Sequence, residues 1–302
     1  MKFLSQGVID LLHILMHCAE HALVDSLIGL PILFFAYLLM ELLERSRKLN
    51  EELLHSYSRK AGPAVGGILG VIPQCGISGA AATLFSTGAI SLGTMLAVFF
   101  ATSDEMLPIL IANIGSRNSA VSVSGGLIAG IVAAKAGAGI VLGYLADALF
   151  GKAFARGKDI HSFCEREHCD CDDEGTVFLS ALRHTVRIFL MLLAVNFALD
   201  LVLELIGIDR LGGSMLSKPV IGELLLALIG LIPNCSISVI LTEAYLFNII
   251  DLGGLFAGLF SNAGIGLLVL FRTNRSLKEN LAVMALLFVF GALSGMLIGL
   301  VF

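Results

Sequence analysis

Two copies of one short pattern place an amide, a thiol and a hydroxyl beside a proline within apolar sequence. The copies run from Gly70 to Ser78 and from Gly230 to Ser238, a constant separation of 160 residues. The three side chains are Gln74, Cys75 and Ser78 in the first copy and Asn234, Cys235 and Ser238 in the second. Such groups could replace the hydration shell of a metal cation, with the thiols selecting soft or borderline metals. The alternative is that proline only bends the helix while cysteine packs as a small apolar residue.

A second candidate group follows the first copy. Asp104 and Glu105 are adjacent carboxylates in an apolar stretch, where charge is costly unless it meets a cation, a proton or water. Met106 adds a thioether, and Asn262 lies in the corresponding part of the second copy. This mixture of oxygen and sulfur ligands suits a transition-metal dication. The alternative interpretation is a loop at the membrane interface.

Glu243 follows Cys235 on the same apolar segment and is a candidate ligand or proton carrier. The alternative is that Glu243 has a structural role and hydrogen-bonds to a neighbouring polar group.

Auxiliary metal ligands are predicted in two polar segments. Histidines four residues apart lie on one helix face near the start of the chain, where they could share a metal or only form a polar surface. These are His13, His17 and His21. A central linker carries thiols, an imidazole and carboxylates, so it could capture a thiophilic ion or be an ordinary solvated loop. Its candidate ligands are Cys164, His168, Cys169 and Cys171.

The elements that position these residues are membrane helices. The chain has 302 residues, of which 57% are hydrophobic and 14% charged, far below the charge of a soluble domain. Ten apolar segments are long enough to be candidate membrane elements. They lie near 24–44, 62–82, 84–103, 104–116, 119–150, 178–207, 218–233, 235–250, 252–271 and 280–302. An odd number in each half predicts two inverted five-helix repeats with proline-broken helices.

The predicted organisation has four parts. An amphipathic, His-containing segment covers 1–23, a first membrane repeat covers 24–150, a Cys/His/acidic linker covers 151–177 and a second membrane repeat covers 178–302. Lysines and arginines cluster before residue 61, in the linker and before the last helix, which places these loops on the cytoplasmic side of the plasma (inner) membrane.

The paired Gly-x-Ile-Pro-x-Cys motifs, the Ser103-Asp104-Glu105 segment, Ser261–Gly264 leading to Phe271–Asn274, and the His-rich N-terminus resemble the ten-transmembrane heavy-metal exporters. Members of that family are labelled arsenic efflux proteins or manganese transporters. The resemblance implies a ten-helix permease without an ATPase domain that moves an inorganic ion.

The ligand types favour a secondary exporter of a transition-metal dication, with Mn²⁺ first, over an arsenite or oxyanion permease. Asp104 and Glu105 would repel an anion, and two membrane cysteines are few for arsenite. Because no Walker or common hydrolase motif is present, we predict no enzyme activity, although an intramembrane Cys-dependent enzyme is an alternative from another class. The expected partners are the ion and the lipid bilayer, without nucleic acid or a separate cofactor. A glycine-rich helix around Gly125–Gly143 leaves homodimerisation open.

Overall fold

The computed structural model describes residues 51–73, 75–102, 105–114, 120–154, 220–274 and 276–301, with single helical positions between 16 and 38 and between 182 and 201. Within these residues every regular element is helical, as predicted. The first half contains α1 (Glu51–Gly70), α2 (Cys75–Ser86), α3 (Leu92–Ala101), α4 (Met106–Ala112) and α5 (Gly125–Phe154). The second half contains α6 (Ile221–Gly230), α7 (Ser236–Leu246), α8 (Leu252–Ser261), α9 (Ile265–Thr273) and α10 (Leu277–Val301).

Four stretches of the described chain are long and apolar enough to cross a membrane. They are Leu92–Ala112, Gly125–Gly151, Leu252–Thr273 and Leu277–Val301. Four shorter apolar helices accompany them, namely Ala61–Gly70, Gly76–Ser86, Ile221–Gly230 and Ser236–Leu246. At about 1.5 Å per residue, each shorter helix covers roughly half of a bilayer core. The chain is therefore a multi-pass helical membrane protein.

The element predicted over 62–82 is not one helix. Helix α1 ends at Gly70, and α2 begins at Cys75. The amides of Val71 and Ile72 close single turns onto the carbonyls of Ile68 and Leu69 at 3.3 and 3.2 Å. Pro73, which has no N–H, follows directly, so the helical ladder stops there. The separate elements predicted over 218–233 and 235–250 agree with α6 and α7.

Close backbone contacts fix α6 parallel to α8. A Cβ added at Gly254 would lie 2.6 Å from Cδ1 of Leu226, and one added at Gly230 would lie 3.1 Å from the Cβ of Ser261. Leu226 of α6 thus contacts Gly254 of α8, and Gly230, later in α6, contacts Ser261, later in α8. Only glycine permits this approach at position 230.

The same relation holds between α1 and α3. A Cβ at Gly66 would lie 2.7 Å from the carbonyl oxygen of Thr94, and one at Gly70 would lie 2.8 Å from the Cβ of Ala101. Helices α1 and α3 are therefore also parallel.

The helix between each parallel pair runs in the opposite direction. In the second half, a Cβ at Gly258 of α8 would lie 2.6 Å from Cδ1 of Leu241 of α7, across the turn that joins them. That turn contains Asn248 at φ 58°, and the turn between α2 and α3 contains Gly88 at φ 82°. Thus α6 and α7 form one helical hairpin with its tip at residues 231–235, and α1 and α2 form another. A cavity of about 410 Å³ lies between α1, α2 and α3.

Helix α9 continues in the direction of α8. Helix α10 packs antiparallel to α8. A Cβ added at Gly295 would lie 2.6 Å from the carbonyl oxygen of Gly253, and one added at Gly291 would lie 3.0 Å from the carbonyl oxygen of Ala257. The part of α10 before Gly291 therefore extends beyond the end of α8. Because the Nδ2 of Asn274 bonds to the Oδ1 of Asn280 at 2.8 Å, α9 must follow this extension to reach it.

The two halves meet where the helices are interrupted. A Cβ at Gly266, in the first turn of α9, would lie 2.9 Å from the Cβ of Ser78 in the first turn of α2. At the other ends of these helices, the hydroxyls of Ser86 and Thr273 lie 2.7 Å apart. Helices α2 and α9, which come from different halves, are therefore parallel and begin side by side.

Candidate functional site

The tip of the α6–α7 hairpin presents three of the predicted site residues. The Oδ1 of Asn234 accepts a hydrogen bond from the amide of Ser236 at 2.9 Å, and the Oγ of Ser238 donates to the carbonyl of Cys235 at 2.6 Å. These local bonds start α7 after Pro233, whose ring leaves no amide hydrogen to donate. Cys235 is a thiol with an exposed fraction of 1%, within the apolar core.

The interruption between α8 and α9 repeats this chemistry. Asn262 follows α8, and its Oδ1 accepts from the amide of Gly264 at 2.8 Å, as Asn234 does from Ser236. Gly264 has φ 52°, which favours glycine. An amide oxygen is also a ligand type that can bind a cation. The two predicted asparagine ligands thus make the same local hydrogen bond, from side-chain oxygen to the amide two residues later, at two different interruptions.

In the first half, the structure describes part of the predicted set. Ser78 and Met106 are buried, and Glu105 is half-buried in the turn before α4. Cys75 is the first residue of α2. Gln74 and Asp104 lie outside the described residues.

Helix contacts bring the two halves of the predicted set to one place. The start of α2, with Ser78, contacts the start of α9, which follows Asn262. Reciprocally, α4, which begins at Met106, packs against α7, which follows Cys235. The interruption after α3 lies opposite the middle of α5, because the Cβ position of Gly139 is 3.3 Å from the amide nitrogen of Ala101. The helices that begin near the described site residues thus contact each other across the two halves.

Glu243 lies apart from this interface. It occupies an exposed position near the end of α7, away from the tip. Its role as ligand or proton carrier stays a prediction.

Lys135 is a buried cation beside the first interruption. It is 1% exposed on α5, and its Nζ donates to the carbonyl of Thr102, the residue that ends α3. A cation is favourable at the carbonyl end of a helix. Lys135 therefore brings a positive charge to the end of α3, two residues before Asp104 in the sequence.

Two buried carboxylates have no counterpart in the predicted site. Asp147 of α5 and Glu223 of α6 are both 4% exposed. The signal that could have found them is a single acidic residue in an otherwise apolar run, the same signal that singled out Asp104 and Glu105.

Within the described residues, no group of three or more His, Cys, Asp or Glu side chains is placed to hold a metal ion. The histidines of the N-terminal segment and the thiols of the central linker, predicted as auxiliary ligands, lie outside the described residues. The glycine-rich helix α5 is used inside the protein at Gly139 and Gly143, which contact α3.

Apolar helices of membrane-spanning length, interrupted at residues with polar side chains, define a polytopic helical membrane protein. The chain belongs to the family described as "Putative, 10TM heavy-metal exporter", whose model matches residues 13–209. No curated protein and no solved structure matches it. The matched range contains the first Pro-Cys motif, and the second lies beyond it.

Proposed function

We propose that this protein exports a transition-metal dication, Mn²⁺ in first place, across the plasma membrane by secondary transport. The observation that carries the proposal is the contact of Ser78 with Gly266, at the starts of helices from different halves. It lets predicted ligands from both halves face one ion at mid-depth, where interrupted helices of transporters bind their substrates.

Helix directions support an inverted relation between the halves. Helices α3 and α8 are equivalent in the repeat, since Leu92 and Leu252 begin them. Helix α9 continues α8 and is parallel to α2, whereas α2 is antiparallel to α3. It follows that α3 and α8 run in opposite directions, as inverted repeats require. Each half has two described long spans and one half-depth hairpin, to which the predicted spans over 24–44 and 178–207 add one each. With that count, the basic loops keep the common side assigned from their charges.

The proposed site combines hard and soft ligands. Oxygen ligands come from the amides, hydroxyls and carboxylates, and sulfur from the two tip cysteines and one methionine, which suits a borderline dication. The proposed ligands are Gln74, Cys75, Ser78, Asp104, Glu105, Met106, Asn234, Cys235, Ser238 and Asn262.

Alternating access would follow from movement of one half against the other. Each hairpin tip is bounded by short helices that can tilt as units, while α5 and α10 pass the interruptions unbroken. The ion would enter from the cytoplasm, bind between the tips and leave on the outer side as the α2–α9 and α4–α7 contacts rearrange.

An arsenite or oxyanion permease is the second candidate, and one observation favours it. The N-termini of α2 and α9 lie side by side. The positive ends of their helix dipoles and the backbone amides of their first turns therefore point to the same place, which favours an anion. Lys135 adds a positive charge at the adjacent interruption. The carboxylates of Asp104 and Glu105 favour the first candidate, because negative charges repel an anion and attract a dication.

The test is flux through purified protein in liposomes with Mn²⁺, Zn²⁺, Cd²⁺, Co²⁺ and arsenite. We expect Mn²⁺ to move, Asp104→Asn to abolish its flux, and Cys235→Ser to alter the order of preference among the metals. Asp159→Asn and Cys18→Ser, outside both repeats, are the matched controls. Arsenite flux that survives Asp104→Asn, without metal flux, would establish the second candidate instead.

A further inference from the structure

Glu223 is a carboxylate in the apolar helix α6. It is 4% exposed, and its Oε2 is the one buried side-chain oxygen or nitrogen in the described part of the chain that has no hydrogen-bond partner. Its Oε1 lies 3.1 Å from the position that a Cβ would take at Gly299 of α10. A buried carboxylate oxygen without a hydrogen-bond partner is costly, so this oxygen is a candidate site for a proton or a cation.

A second carboxylate faces the same space. Asp251 caps α8 through its Oδ1, which accepts from the amide of Gly254 at 2.7 Å. Its Oδ2 lies 3.9 Å from the same Cβ position of Gly299. Asp251 is exposed whereas Glu223 is buried. Two carboxylates beside this gap at Gly299 are a candidate site for a shared proton.

The helices packed against α6 bring no described basic side chain to this gap. Helix α10 carries Lys278 and Glu279 at its start, the opposite end from Gly299. Helix α7 carries Glu243 at an exposed position and the buried Tyr245. A salt bridge is therefore not available from the described residues, and a proton is the simplest partner for Glu223.

In the first half, Asp147 of α5 lies against the start of α3, as Gly299 of α10 lies against the start of α8, and it provides a comparison for Glu223. Asp147 accepts from the amide of Gly93 at 2.7 Å and from the Oγ of Ser91 at 2.6 Å, so both of its oxygens are bonded. In the repeat register, Ser91 corresponds to Asp251 and Pro63 to Glu223. At this place the first half thus has one carboxylate with both oxygens bonded, whereas the second half has two carboxylates, one of which has a buried oxygen without a hydrogen-bond partner.

We propose that Glu223 and Asp251 form a proton-binding carboxyl pair that couples proton entry to ion export. The coupling role rests on the proposed function, whereas proton binding does not. In the proposed orientation the pair lies at the outer ends of α6 and α8, where exposed Asp251 passes a proton from water to the Glu223 carboxylate. Helix α6 then links the neutralised Glu223 directly to the tip that carries Asn234 and Cys235.

Infrared difference spectroscopy of the purified full-length protein across a pH titration tests proton binding without any substrate. We expect a carbonyl stretching band from a protonated buried carboxyl group that disappears in Glu223→Gln and shifts in Asp251→Asn. The band should persist in Asp147→Asn, because both oxygens of Asp147 already accept hydrogen bonds. A band that persists in Glu223→Gln, or that is absent from the wild-type protein at every pH, overturns the proposal.

Liposome transport separates this proposal from the function it extends. We expect Glu223→Gln to keep Mn²⁺/Mn²⁺ exchange and to lose Mn²⁺ accumulation driven by a pH gradient. Equal loss of exchange and accumulation would overturn the coupling role. If wild-type protein moves no metal but the infrared band depends on Glu223, the proton site stands and the proposed substrate fails.

Discussion

Phe100 and Phe260 occupy equivalent positions in the two halves, and their rings contact each other. The ring centroids are 5.8 Å apart with the planes at 64°, an edge-to-face arrangement. A contact between equivalent residues is what a two-fold axis between two similar units produces. Both rings are fully buried, at the point where α3 and α8 approach their interruptions.

The Phe100–Phe260 pair should stabilise the association of the halves. We expect Phe100→Ala and Phe260→Ala each to lower the free energy of unfolding by about 3–5 kcal/mol, through lost packing and the cavity left behind. The double variant should lose less than the sum of the single losses, by about 0.5–1.5 kcal/mol. Denaturant unfolding in detergent micelles measures all three. Strict additivity would mean that the rings do not interact.

The closest helix approaches should tolerate no side chain larger than hydrogen. A Cβ at Gly70 would lie 2.7 Å from the carbonyl oxygen of Val98, which is backbone and cannot rotate away. We expect Gly70→Ala to lower the melting temperature and the flux sharply, with the same effect for Gly230→Ala. Thermal unfolding followed by size-exclusion chromatography reports the change.

Gly137 supplies the matched control for the glycine substitutions. It lies in α5 with no atom within 4 Å of its Cβ position. Gly137→Ala should be neutral or stabilising by about 0.5–1 kcal/mol, because alanine favours the helix. Equal damage from Gly137→Ala and Gly70→Ala would refute the close-packing explanation.

The proposed inverted relation between the halves predicts on which side of the membrane the open end of each hairpin lies. Single cysteines replacing Ala61 and Ile90, in a cysteine-free background, should react with an impermeant thiol reagent from the cytoplasm. Single cysteines replacing Ile221 and Ile249 should react from outside. Labelling of right-side-out and inverted vesicles measures this, and reaction of all four from one side would disprove the inversion.

Asp147 should be a stability residue rather than a transport residue. It accepts two hydrogen bonds at the start of α3, from Gly93 and Ser91. We expect Asp147→Asn to destabilise the protein by about 1.5–3 kcal/mol, because a charged acceptor is replaced by a neutral amide. Chemical unfolding measures the loss, and the surviving folded fraction should transport with an unchanged pH dependence. A shifted pH profile would place Asp147 in the proton pathway.

The sequence predicted the helical class of the chain, because long apolar runs with little charge form membrane helices. The register of Pro73 and Pro233 predicts matching elements in the two halves, and the inverted repeat stays a prediction. Within the apolar element over 62–82, hydropathy alone does not locate the end of α1 at Gly70, since it does not distinguish a continuous apolar helix from two helices joined by an apolar turn.

Burial of polar groups was harder to anticipate than helix order. Glu223 and Asp147 became notable only when tertiary packing showed that one has an unbonded oxygen and the other has none. Asn234 and Asn262 were predicted as ligands from their types, and their shared capping geometry depends on backbone turns that composition does not encode. The predicted roles of Asp104 and Gln74 remain predictions.

The continuous helix α10 packs along α8 and α9, which are two separate helices joined at residues 262–264. Ser261 bonds to the carbonyl of Leu287 at 3.3 Å, at the joint itself. This bond and the glycine contacts further along α10 hold α8 in place, so a bend at residues 262–264 would move α9 and leave α8 where it is. Such a movement would carry Gly266 away from Ser78 and open the interface between the halves.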